Sequence, residues 1–284
     1  MRLLRRARRA GSLGWNYLRS LPGAVAHRRT FADVRTYCQF LGYPRTGHTL
    51  ICALLTAHPD VVISNELGAL GLIRHGFRRG QVYSLILERD RRFVRDGCRF
   101  QGYDYRVPGG AQGRFRRLQV IGDKDGARDA TRLRRHPELL GRLLGTVGIP
   151  VRVLHVVRNP YDILTTGIRR REERGEATSL EEAMGWGVQS MEMVERVMGS
   201  LPEGSVHTIR LEDLTAEPVP ILEGICRHIG VPAGPDYLER CSRLVFPRPR
   251  KTRDSGVWTA DRVDRVKTEM IDRFGFLAGY SFRS

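Results

Sequence analysis

Gly42-Tyr43-Pro44-Arg45-Thr46-Gly47-His48-Thr49 has the spacing of a phosphate-binding loop, G-x-x-x-x-G-K-[ST], with His48 where the lysine belongs. The apolar run Tyr37 to Leu41 before it reads as a buried strand, and His48 to Ala57 after it reads as a helix. Strand, glycine loop and helix N-terminus is the context in which backbone N–H groups and the helix dipole converge on an anion. In nucleotide hydrolases the loop lysine reaches the β- and γ-phosphates. Its absence here points to a phosphate-like anion other than ATP or GTP set up for hydrolysis.

Working outward, alternation continues along the chain. Val61-Val62-Ile63, Val120-Ile121-Gly122, Val151 to Val157 and Val206 to Leu211 read as strands. Gly68–His75, Tyr83–Arg95, Leu133–Leu144, Tyr161–Arg171, Leu180–Met198 and Pro218–Ile229 read as helices. This order predicts an α/β fold with three layers, α/β/α, around a central mostly parallel sheet, like that of P-loop NTPases. Residues 36–284 are expected to form that domain. Residues 1–35 are expected to form a basic arm, loosely packed and solvated, with contact to an anionic membrane surface as the alternative. The arm carries Arg2, Arg5, Arg6, Arg8, Arg9, Arg19, Arg28, Arg29 and Arg35, interleaved with Leu3, Leu4, Leu13, Trp15, Tyr17, Leu18 and Leu21. Residues 67–118 read as an insertion that shapes an acceptor site, and Arg74, Arg78, Arg79, Arg114, Arg116 and Arg117 within it suggest an anionic acceptor.

Composition bounds the function. A net charge of +17, almost all of it arginine since there are only three lysines, implies anionic partners. No helix-turn-helix, zinc or RNA-binding pattern supports nucleic acid as the partner. No apolar run approaches the roughly 20 residues of a spanning helix. Neither a continuous apolar leader nor a cleavage site is apparent. The five cysteines are scattered, without a C-x-x-C pair. A reducing, cytoplasmic location, peripheral to a membrane at most, is the expectation.

Two further elements grip anions. Arg158 ends a buried strand, and Thr166 lies two turns into the following helix, a pairing suited to a second phosphate. Arg248, Arg250, Lys251 and Arg253 form a basic cluster broken by Pro247 and Pro249. Anion-gripping elements this far apart suit a ligand with phosphates at two ends.

These segments resemble the sulfotransferases that use 3′-phosphoadenosine 5′-phosphosulfate. Tyr43 to Leu50 is similar to their 5′-phosphosulfate loop, and Val156-Val157-Arg158-Asn159-Pro160-Tyr161-Asp162 to their 3′-phosphate motif. Arg210-Leu211-Glu212-Asp213-Leu214 resembles their Y-E-D-L segment, and Lys251 to Trp258 loosely echoes their C-terminal loop. The resemblance implies that Arg45, Thr46, Gly47, His48, Thr49 and Leu50 hold the 5′-phosphosulfate. Arg158 and Thr166, helped by Arg250 and Lys251, would hold the 3′-phosphate. It implies Glu66 as general base and Lys124 as stabiliser of charge on the bridging oxygen, with no metal required. The bland alternatives stand beside these roles: Glu66 as an arginine partner, Lys124 as a surface lysine. His48 either contacts the sulfuryl group or caps and packs. His155, inside a strand, reads as a core histidine, and Arg169–Arg171 as a solvated helix end. A P-loop small-molecule kinase and a non-catalytic nucleotide- or nucleic-acid-binding module are the competing functions.

Overall fold

Runs of β-branched and aliphatic residues become strands because both faces of a central sheet are covered, leaving them few solvated positions. The computed structural model describes residues 2–246, 251–255 and 258–284, with residues 2–10 described as backbone only. The chain runs through α1 (Arg2–Ala26), α2 (Arg28–Ala32), β1 (Thr36–Gly42), α3 (His48–Thr56), β2 (Val61–Asn65), α4 (Ala69–Arg74) and α5 (Arg79–Arg95). A small hairpin follows, β3 (Arg99–Phe100) and β4 (Tyr103–Asp104). Then come β5 (Val120–Lys124), α6 (Gly126–Arg135), α7 (Leu139–Val147), β6 (Val151–Val157), α8 (Pro160–Glu172), α9 (Leu180–Gly199) and β7 (Val206–Arg210). α10 (Leu211–Ala216), α11 (Pro218–Ile229), α12 (Pro235–Ser242) and α13 (Ala260–Val266) complete it.

β2, β5, β1, β6 and β7 lie side by side in that order, all parallel. Side chains alternate between two cores, as the pleat requires. Tyr37, Leu41, Val62, Ile121, Val153 and Val157 enter one core; Cys38, Phe40, Ile63, Val120, Leu154 and Val156 enter the other. The expected three-layer architecture therefore holds. Phe40 is wholly buried, and truncating such a residue to alanine costs about 3–5 kcal/mol. All five cysteines are buried free thiols.

From β1 the chain crosses to β2 on one side, and later passes from β5 to β6 on the other. A parallel sheet opens a crevice at the carboxyl ends of its strands at such a switch point. Gly42, Asn65, Lys124, Val157 and Arg210 end the five strands there.

Two expectations fail. The helix expected over Leu133–Leu144 is two helices, α6 and α7, because Pro137 drives His136 out of the helical region to φ −143°, ψ 72°. The N-terminal arm is not loose. α1 packs along α5, where Gln81 Nε2 donates to Tyr17 O and Ser20 Oγ, both at 3.2 Å. The Tyr17 ring meets Phe77 edge-on at 5.2 Å, and Arg19 pairs with Glu88. Among the described residues, no helix is long and apolar enough to cross a membrane.

Candidate functional site

The loop between β1 and α3 is closed by its own side chains. The Thr46 hydroxyl, fully buried, donates to Tyr43 O at 3.0 Å, and Tyr43 OH meets His155 Nε2 at 3.1 Å. Arg45 (φ +72°) and Gly47 (φ +91°) both adopt the left-handed region, which costs a non-glycine residue about 1 kcal/mol or more. A Cβ on Gly47 would also sit 2.6 Å from Leu211 Cδ1. The loop thus delivers the N-terminus of α3, with its unsatisfied N–H groups, to the crevice.

The missing loop lysine has a counterpart from a neighbouring strand. Lys124, at the end of β5 and 3% exposed, donates to Thr49 Oγ1 and to Glu66 Oε1, each at 3.1 Å. Its ammonium lies 5.0 Å from the centre of the Phe100 ring. Lys124 is therefore not a surface lysine. Glu66, at φ +57°, also accepts from Arg128 Nη2 at 3.0 Å. Buried Asp123 fixes this turn by accepting from the N–H groups of Leu67, Gly68 and Ala69 at 2.8–3.1 Å.

A second cationic corner forms at the end of β6. Asn159 caps α8 by accepting from Tyr161 N at 3.1 Å, and Pro160 occupies the first turn without wasting a donor. Glu212, at the start of α10, accepts from Asn159 N at 2.9 Å and from Tyr280 OH at 2.6 Å. These contacts aim Arg158, 8% exposed, whose Nη1 donates to Arg45 O at 3.2 Å. Burial lowers the Arg158 pKa and nearby Asp162 opposes that. The guanidinium stays charged, as arginine does in proteins. Thr166 Oγ1 lies 3.1 Å from Thr252 Oγ1, so a second hydroxyl, not anticipated from sequence, stands beside the expected one. Asp162 holds this corner together: it accepts from Arg253 N at 2.9 Å and Arg253 Nη1 at 2.5 Å, both side chains being 2% exposed. Lys251 is turned away, donating to Arg283 O at 3.3 Å, and does not border the cleft. Arg250 lies outside the described residues.

The two corners face one cleft of about 740 Å³, within the size range of ligand sites. Among the described residues its wall carries Arg45, Lys124, Arg128, Arg158, Arg169, Arg170 and Arg174 against only Glu66 and Asp125. Gly47, Thr49, Leu50, Thr166 and Thr252 border it, as do Phe100, Gln101, Tyr103 and Tyr105 of the hairpin region. Arg45 is half-buried, and its pKa is lowered first by burial and then by Arg170 and Arg174.

Sequence reasoning missed Arg128, Arg169, Arg170 and Arg174. Arg169 and Arg170 follow Thr166 at i+3 and i+4 on α8, which was the available signal, and Arg174 lies in the turn past Glu172, where α8 ends. The arginines expected to meet an anionic acceptor do not border the cleft. Arg116 pairs with Asp60 at 2.9 Å, Arg117 with Asp33 at 3.4 Å, and Arg79 donates to Phe31 O at 3.3 Å.

His48 borders the cleft but is 8% exposed, edge-on to Phe40 at 5.8 Å and 3.3 Å from Thr46 Oγ1 through Nδ1. Its ring lies so close to Gly42 that a Cβ there would come within 2.9 Å. Burial, then Lys124, pushes its pKa down to about 3, so the imidazole is neutral. Buried His155 is likewise pushed down to about 3.

No family model and no curated protein matches this chain. Solved structures do match its fold. The sulfotransferase domain from the curacin biosynthetic pathway is 15% identical with a TM-score of 0.53, over 84% of this chain and 98% of that one. Sulfotransferase STF9 from Mycobacterium avium is 13% identical at a TM-score of 0.53, over 93% of this chain and 82% of that one. Sulfotransferase STF1 from Mycobacterium tuberculosis H37Rv is 14% identical at 0.52, over 92% and 81%. The chain shares the fold of these sulfotransferases.

Proposed function

We propose that the protein is a sulfotransferase that moves a sulfuryl group from 3′-phosphoadenosine 5′-phosphosulfate to a hydroxyl or amine of an acceptor. The observation that carries this reading is the placement of Lys124, Thr49 and Glu66 at the N-terminus of α3, with Arg158, Thr166 and Thr252 across the same cleft. A donor with anionic groups at both ends meets a cationic corner at each. The α3 amides and Thr49 bind the 5′-phosphosulfate; Arg158 and the two threonine hydroxyls bind the 3′-phosphate. His48 stays a neutral packing group behind the loop.

In the transfer, the acceptor oxygen or nitrogen forms a bond to sulfur as the bridging S–O bond breaks. The acceptor proton passes to Glu66, and the electron pair leaves on the 5′-phosphate of the departing bisphosphate. Lys124 sits where negative charge grows on that leaving oxygen and stabilises it, more in the transition state than in the bound donor. Glu66 exchanges its bond with Arg128 or Lys124 for one from the acceptor. The surplus of cleft arginines favours an acceptor that itself carries negative charge.

The test is transfer of radiolabel from sulfur-labelled donor to a panel of phenols, sugars and anionic amphiphiles, with Glu66→Gln as control. Labelled product with wild type and a large loss with Glu66→Gln support the reading. ATP-dependent phosphorylation of the same panel, without sulfuryl transfer, would replace it with a small-molecule kinase.

A further inference from the structure

α1 has two faces of opposite use. Its inner face lies against α5 and the core: Leu13 packs against the core, the Tyr17 ring meets Phe77, Ser20 is buried, and Ala24 packs where Gly80 leaves room. Its outer face is apolar. Trp15 is 67% exposed, Leu18 63%, Leu21 42% and Val25 71%. Steps of three and four residues set these side chains on one stripe at 100° per residue. Gly11, Gly14 and Pro22 fall on the same stripe and are exposed. A surface helix ordinarily turns its apolar stripe to the core alone; α1 carries a second one outward.

Charge identifies what the stripe meets. No acidic residue precedes Asp33, whereas arginine occupies eight of the positions before it. Arg28 and Arg29, just past the end of α1, are exposed. Two copies of α1 laid stripe to stripe would bring these arginine-rich segments together without a countercharge. An anionic lipid surface offers both what the stripe and the arginines lack: an apolar layer and negative headgroups. A tryptophan on such a stripe suits the headgroup boundary. We propose that the outer face of α1 is a docking surface for an anionic lipid bilayer, on which the helix lies in the plane of the interface. The inference is independent of the chemistry in the cleft.

The experiment is sedimentation of the full chain with vesicles of phosphatidylcholine mixed with phosphatidylglycerol, against phosphatidylcholine alone, at two salt concentrations. Wild type is expected to pellet with the mixed vesicles, less so at high salt. Leu18→Glu combined with Val25→Glu is expected to lower the partition coefficient at least tenfold with an unchanged melting temperature. Should the double variant melt lower, Trp15→Ser provides the same comparison through an already exposed indole. Equal binding by variant and wild type would overturn the proposal, since arginines alone would then account for it. So would indifference to lipid charge. A concentration-dependent dimer that Leu18→Glu dissolves, in a protein that ignores vesicles, would assign the stripe to a second copy instead.

Discussion

The Lys124 ammonium lies 3.1 Å from the Thr49 hydroxyl, although the two residues stand 75 positions apart. The lysine that the loop sequence lacks thus has a counterpart at the helix N-terminus from the next strand of the sheet. The register makes this possible: β5 pairs with β1 along Thr36–Gln39 and ends one residue later at Lys124, while β1 runs on to Gly42 and the loop. Lys124→Met is expected to lower turnover about 100-fold or more, the scale of removing one preorganised charge-stabilising donor. Bisphosphate affinity should change far less. Equal losses in turnover and affinity would make Lys124 a ground-state binding residue.

Glu66→Gln keeps the shape of the side chain and its reach toward Lys124 and Arg128, but cannot take a proton. Turnover should fall about 10²–10⁴-fold with bisphosphate binding retained. A variant as active as wild type would remove Glu66 from the mechanism and leave it as the arginine partner that its contact with Arg128 also describes.

Asp162 and Arg253 form a buried pair beneath the second corner. Asp162→Ala strands the Arg253 guanidinium, and removing one partner of a buried pair costs about 3–5 kcal/mol. It also removes the Asp162 Oδ1 that accepts from the Thr252 hydroxyl at 3.2 Å. A lower melting temperature together with weaker bisphosphate binding is expected. Arg170→Ala, at the cleft wall, should shift stability by only about 0.5 kcal/mol. Urea titrations of the two variants compare them directly.

Stability should respond to pH through groups of opposite sign. Asp90 is buried and its pKa is raised to about 7, chiefly by burial. Unfolded, it titrates near 3.9, so the folded chain holds the extra proton between these values and stability is lost as pH rises through them. His48 and His155, pushed down to about 3, act the other way: their contribution is present above about 6.5 and lost as pH falls toward 3. Asp90→Asn is therefore expected to stabilise the protein at pH 8 by about 2–4 kcal/mol and to gain nothing at pH 4. Melting curves at both pH values check this. An equal effect at both would show that Asp90 is not titrating in the fold.

What the sequence made legible is local. The loop from Gly42 to Thr49 and the turn at Arg158-Asn159-Pro160 each carry their geometry within a few residues, so strand, cap and helix start read directly. Pro137, inside the stretch read as one helix, is what splits it into α6 and α7. The cleft is not local: Arg128 and Arg174 reach it only because α6 follows β5 and α8 follows β6, the two strands that flank β1. α1 was read as a solvated arm because its arginines dominate the composition. Which face an amphipathic helix turns inward is settled by its partner, here the groove along α5 at Gln81 and Ser84.

The most direct test of the account is calorimetric titration with 3′-phosphoadenosine 5′-phosphate, against ATP with and without Mg²⁺, for wild type and Arg158→Ala. Magnesium-independent binding of the bisphosphate is expected, weakened at least 100-fold in the variant, as when a desolvated charge-assisted contact is removed. Tight, magnesium-dependent binding of ATP with no preference for the bisphosphate, indifferent to Arg158, would contradict it.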